Sequence, residues 1–147
     1  VTLKEKLMED YKTSIKDKDT IRKNTVIMIR SAIKQREVDT RTDLKDEDVL
    51  EIISKQLKEK RMAITEFQKG NRQDLVDLTN NEIEILLQYL PKQLTQDEVD
   101  EIVKETIEEI GAKSVKDIGL IMKSVMPKIK GMADGNMVNR AVRNIFK

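Results

Sequence analysis

Lys128 and Lys130 flank Ile129 in a chain that has no histidine and no cysteine. The chemistry left to it is that of ammonium, guanidinium, carboxylate and hydroxyl groups. Without imidazole, the commonest general base and the commonest metal ligand are missing. Without thiol, disulfides, thiolate nucleophiles and cysteine–zinc sites are excluded. What the C-terminal residues offer is phosphate binding. In an extended stretch alternate side chains point the same way, so Lys128 and Lys130 are expected to project together. Lys123 lies one helical turn before Pro127, and Arg140 and Arg143, three apart, share a helix face. Gly131 and Gly135 let backbone N–H groups approach an anion, and the start of the following helix adds partial positive charge. The expected phosphate contacts are therefore Lys123, Lys128, Lys130, Arg140 and Arg143, with Gly131 and Gly135 shaping the loop. Such contacts give affinity and placement without reading sequence. Phe146 is the one aromatic residue after Tyr89, so recognition of a folded RNA's shape fits better than base stacking.

The other polar clusters have plainer readings. Asp134 is placed to cap the last helix. The loop lacks the glycine–lysine spacing of a phosphate-binding NTPase loop, and no nucleotide site is expected. Asp43, Asp46, Glu47 and Asp48 have no EF-hand spacing and suit the N-terminal end of a helix dipole. The pairs Asp97/Glu98, Asp100/Glu101 and Glu108/Glu109 read as a solvated face. Lys58, Glu59, Lys60 and Arg61, with Glu51 and Lys55, read as four-residue ion pairing along a helix surface. Lys34, Arg36 and Arg41 complement the C-terminal end of their helix. Met122 and Met126 are assigned to core packing. No catalytic residue, metal ligand or cofactor is expected.

These residues must be held by helices. The chain has 147 residues, 37% of them charged, 38% hydrophobic and only 3% aromatic, which points to an all-α protein of one domain or two small ones. Seven helical segments follow from the apolar spacing. The first covers about 3–17, opened by Thr2 and Glu5, with Leu3, Leu7, Tyr11 and Ile15 on one face. The second covers about 20–40, capped by Asp19 or Thr20, around Val26, Ile29 and Ile33. The third covers about 46–69 through Val49, Ile52, Ile53, Leu57, Ile64 and Phe67, with Gly70 placed to end it. The fourth covers about 72–88, with Leu75, Leu78, Ile85, Leu86 and Tyr89 inward. Pro91 forces Leu90 into extended backbone and marks a boundary. Beyond it, Thr95 and Glu98 open a fifth helix through Val99, Ile102, Val103, Ile107 and Ile110, closed by Gly111. Ser114 and Asp117 start a sixth, running into Pro127, and a seventh covers about 136–146. The expected domains are 1–91, a helical hairpin or bundle, and 92–147, a small three-helix domain.

The net charge of +1 conceals blocks. Residues 92–112 carry 2 basic and 7 acidic side chains, whereas 113–147 carry 8 and 2. A basic block of this kind suits a phosphate-bearing partner. No apolar run approaches the roughly 18–20 residues that span a bilayer, so no membrane partner is expected. The first residues show helical periodicity in place of a secretory core segment, and a cytosolic location is expected.

Tyr89-Leu-Pro-Lys-Gln-Leu94, Gly111-Ala112, the Gly119 to Met122 stretch, Met126-Pro-Lys-Ile-Lys-Gly131 and Ala133-Asp-Gly135 together resemble the bacterial GatB/YqeY-domain family, as does Asn71-Arg-Gln-Asp-Leu75. The resemblance covers nearly the whole chain. It implies an N-terminal helical domain joined to a three-helix domain similar to the tail of the B subunit of the tRNA-dependent glutamyl/aspartyl-tRNA amidotransferase. That tail also occurs on some bacterial glutaminyl-tRNA synthetases, where it helps grip the tRNA body. It further implies kinship with carbon–nitrogen ligases that use glutamine as nitrogen donor, although the large catalytic part of the B subunit is absent. The expected function is a tRNA-associated accessory protein, not catalytic alone. The alternatives are a component of glutamine-dependent tRNA amidotransferase activity and a protein–protein interaction module. The expected partners are tRNA or a tRNA-processing complex.

Overall fold

The computed structural model describes residues Val1–Lys147 and contains seven α-helices and no strand. In chain order they are α1 (Leu3–Lys16), α2 (Thr20–Thr40), α3 (Asp46–Lys69), α4 (Gln73–Tyr89), α5 (Gln96–Ile110), α6 (Ile118–Ile129) and α7 (Gly135–Ile145). A 3-10 turn at Val115–Asp117 precedes α6. The fold is all-α. The chain forms two compact units, Val1–Leu90 and Pro91–Lys147.

In the first unit, α1 to α4 close over Leu7, Val26, Ile29, Val49, Ile53 and Leu86, each without exposed surface. The helix starts follow local chemistry. Thr2 Oγ1 accepts from Glu5 N, and Asp19 Oδ1 accepts from Arg22 N. The acidic run in the first turn of α3 is used by the backbone: Asp48 accepts from Lys45 N, and Asp46 accepts from Leu3 N. These bonds satisfy amides that helix geometry leaves without partners. Two inward assignments are corrected. Ile15 is 50% exposed and Leu78 is 42% exposed. Ser14 and Thr79 are buried instead, because each hydroxyl donates to a carbonyl of its own helix. Gly70 ends α3 in ordinary backbone, and the left-handed position falls on Asn71, at φ 55°. Lys60 does not serve a surface ladder along α3. Its Nζ lies 3.3 Å from Glu82 of α4, both side chains being mostly buried.

Leu90 is extended, at φ −98° and ψ 153°, as the following proline requires. In the second unit Thr95 and Glu98 form a reciprocal capping box at the start of α5, and Gly111 closes that helix at φ 68°. Its core is Val99, Val103, Ile121, Val125, Ile129, Val138, Ala141 and Val142, none with exposed surface.

The largest correction concerns Pro127. The helix runs through it and ends at Ile129. Proline removes one backbone donor, a loss of up to about 3 kcal/mol in a helix interior. Ile121, Val125 and Ile129 form an i, i+4, i+8 series that is wholly buried. Fully burying an isoleucine side chain contributes about 1.5–3 kcal/mol, so seating Ile129 offsets much of the loss.

Candidate nucleic-acid interface

Continuing α6 to Ile129 changes the geometry of the basic turn. Lys128 is helical and Lys130 is the C-terminal cap residue, so the expected extended Lys128–Ile129–Lys130 stretch is absent. At 3.6 residues per turn, Lys123 and Lys130 lie within about 20° of one another around the axis, whereas Lys128 is rotated roughly 140° from Lys123. Lys128 therefore turns toward α5. Its Nζ donates to Thr106 Oγ1 at 2.8 Å and to Glu109 Oε2 at 3.0 Å. Thr106 is fully buried and its own hydroxyl donates to Ile102 O. Lys128 is thus a strut between α6 and α5, already paired with a carboxylate.

The remaining cations are differently placed. Lys123, Lys130, Arg140 and Arg143 are exposed, and none takes part in the ion pairs of the structure. Arg140 and Arg143 stand on the side of α7 opposite Val138, Ala141 and Val142, which face the core. Arg140 Nη1 reaches Gln96 Oε1 at 3.4 Å, a long, neutral contact that leaves its charge uncompensated. The expected set thus resolves into an outer pair on α6, an outer pair on α7, and Lys128 apart from both.

The bend between the two helices is built on Gly131, at φ 77°, a region open to glycine at little cost. Met132 N and Ala133 N both donate to Ile129 O, at 2.8 and 3.2 Å, so these two amides serve the turn and not a ligand. The carbonyls are held from the preceding segment. Gln93 Nε2 donates to Gly131 O at 2.7 Å and to Pro91 O at 3.0 Å, and Leu94 N donates to Met132 O at 2.9 Å. Sequence spacing gave no sign of this clasp, whose partners lie 38 residues apart.

Asp134 caps α7 by accepting from Met137 N at 3.1 Å. Gly135 serves packing: a methyl group there would come within 3.1 Å of Met122 Cε. The first turn of α7 approaches α6 at that point. No cluster of acidic side chains has the makings of a metal site, and no helix is long and apolar enough to cross a membrane.

Fold and site together define an all-helical protein in two units, the second of which presents unpaired cations on either side of a glycine bend. The chain belongs to the YqeY-like protein family, whose model matches residues 4–146. It is similar to the "Altered inheritance of mitochondria protein 41, mitochondrial" of Kluyveromyces lactis, with 35% identity over 108 residues, 71% of this chain and 58% of that protein. The protein of the same name from Pyrenophora tritici-repentis is 27% identical over 143 residues, 95% of this chain and 78% of the relative. The E subunit of glutamyl-tRNA(Gln) amidotransferase from Saccharolobus solfataricus is 28% identical over 111 residues, 71% of this chain but 17% of that protein. These comparisons correct two expectations. The cytosolic location does not stand, because relatives matched over most of the chain are named as mitochondrial proteins. A specifically bacterial assignment is likewise unsupported, since these relatives are fungal and archaeal.

Proposed function

We propose that the second unit is a module that grips the phosphate backbone of a structured RNA, with tRNA the first substrate to try. The observation that carries this reading is the set of four exposed cations without carboxylate partners, Lys123 on α6, Lys130 at its C-terminal cap, and Arg140 and Arg143 on α7. None of the four pairs with a carboxylate, although the same unit carries an acidic α5. Similarity to part of a glutamyl-tRNA(Gln) amidotransferase supports the choice of RNA. The match covers 17% of that protein's length, so the reading is of an accessory grip, with transamidation chemistry supplied elsewhere. Lys128 is assigned a structural part.

The test is fluorescence anisotropy of labelled tRNA at two salt concentrations. The wild-type chain is expected to bind with an affinity that falls as salt rises, because phosphate contacts release counterions. Lys123→Glu/Lys130→Glu and Arg140→Glu/Arg143→Glu should each weaken binding at least about tenfold at low salt. Equal affinity across these proteins, or affinity indifferent to salt, would remove the proposal.

A further inference from the structure

The first unit holds a surface feature that RNA binding leaves unused. α1 and α2 pack side by side across a three-residue connection, and the furrow between them encloses about 630 Å³. Its floor is Leu7 and Ile33, at 0% and 5% exposure. Its walls are apolar yet open to solvent: Met8 is 39% exposed, Ile27 is 37% exposed, and Tyr11 lies between floor and rim. Ile15, 50% exposed, stands seven residues after Met8 on the same side of α1. It prolongs the apolar track in the direction of the helix axis.

The rim is basic. Arg30 and Lys34 are one turn apart on α2, and neither belongs to an ion pair of the structure. The Arg30 guanidinium rests over the Tyr11 ring, 5.1 Å from its centroid, which orients it without cancelling its charge. At the other end Lys4 is neutralised by Glu37 at 2.6 Å, and Glu37 also accepts from Leu44 N. The furrow therefore combines an elongated apolar track with net positive charge along one side.

The geometry points to this furrow as the docking site for an amphipathic helix of a partner protein, one whose apolar stripe is flanked by aspartate or glutamate. Three features select this occupant. Met8 and Ile15 lie two turns apart on one face of α1, so the track is long enough for a partner helix to seat anchors at i, i+3 or i+4, and i+7. Met8 supplies an adaptable thioether wall of the kind used at such surfaces. The free cations at Arg30 and Lys34 complement carboxylates, whereas a polynucleotide would leave the apolar walls without a partner. The site lies within the first unit and does not depend on the RNA reading of the second.

The experiment uses two labelled helix-forming peptides with the same leucine spacing, one with glutamates beside the leucines and one with lysines, titrated against the full chain by fluorescence anisotropy. The glutamate peptide should bind at least about tenfold more tightly than the lysine peptide, since like-charge contacts oppose the latter. Arg30→Glu/Lys34→Glu should invert that preference, and Ile27→Asp should weaken both peptides; helicity by circular dichroism confirms that each variant folds. Three results would overturn the proposal: equal affinity for the two peptides, a preference that survives the charge reversal, or no peptide binding at all. So would binding of tRNA or anionic-lipid vesicles that the charge reversal alone abolishes, or a dimer of the chain lost on Ile27→Asp, because each assigns the furrow to a different occupant.

Discussion

Lys128 illustrates how a residue's rotation about a helix decides its job. A single residue separates it from Lys130, yet it bonds Thr106 and Glu109 on α5 while Lys130 stays free. Replacing Lys128 with methionine should cost less than about 1 kcal/mol, as expected of a largely exposed ion pair. The same change should leave tRNA affinity near the wild-type value, in contrast to the Lys123/Lys130 double reversal. Urea denaturation beside the anisotropy titration separates the two effects. Asp134 makes the complementary case. Its carboxylate serves a backbone amide, so Asp134→Ala should lower stability by about 1 kcal/mol, again readable in urea. Gly131→Ala forces a Cβ into left-handed backbone at φ 77° and should cost roughly 1–2 kcal/mol. Capping residues and the helix-ending Gly111 are legible in the sequence because both act through neighbours a few positions away. The partner of Lys128 is not, because it depends on where α5 lies.

At the scale of elements, the helix boundaries that the sequence marks with a side-chain cap were read to within a residue or so. Thr2, Asp19, Thr95 and Asp134 each receive a backbone amide. The boundary marked by proline was misplaced, since local propensity favours stopping at Met126 whereas core burial of Ile129 favours further residues. Propensity is local and burial is not, so no window of sequence weighs them against each other. The α5 cap gives a pH prediction. The Glu98 carboxyl is held below its usual range, chiefly by accepting the Thr95 backbone N–H and then by the Thr95 side chain. A depressed folded value means stability that is present above the ordinary carboxylate pKa of about 4.3 and is lost as the pH falls through the folded value. Glu98→Ala should therefore destabilise the second unit at neutral pH, and the gap from wild type should close in acid. Thermal unfolding at neutral and acidic pH measures both.

On the scale of the molecule, cores assemble from most of the apolar faces that helical spacing predicts; Ile15, Leu78 and, at the end of α7, Ile145 are exposed instead. Spacing alone does not say which part of an apolar stripe a neighbour will cover. The first unit also holds a long-range bond that no motif announced: Tyr89 Oη, near the end of α4, donates to Asp10 on α1. Burial, and then the Asp10 carboxylate, raise the phenol well above its ordinary value. The contribution is complete below the unfolded tyrosine pKa of about 10 and is lost as the pH rises toward the folded value. Stability should therefore decline on the alkaline side, with the phenolate absorbance of Tyr89 emerging only as the chain unfolds. Tyr89→Phe should remove that part of the decline and cost about 1–2 kcal/mol at neutral pH.

The Gln93 and Leu94 bonds to the Gly131–Met132 bend fix where the second half can be cut free. A fragment beginning at Thr95 would keep every residue of α5, α6 and α7 and still leave two carbonyls of the bend without their donors. One beginning at Pro91 keeps the clasp whole. Amide exchange at Lys130 to Ala133 in the two fragments would show it: slow in the longer, quick in the shorter.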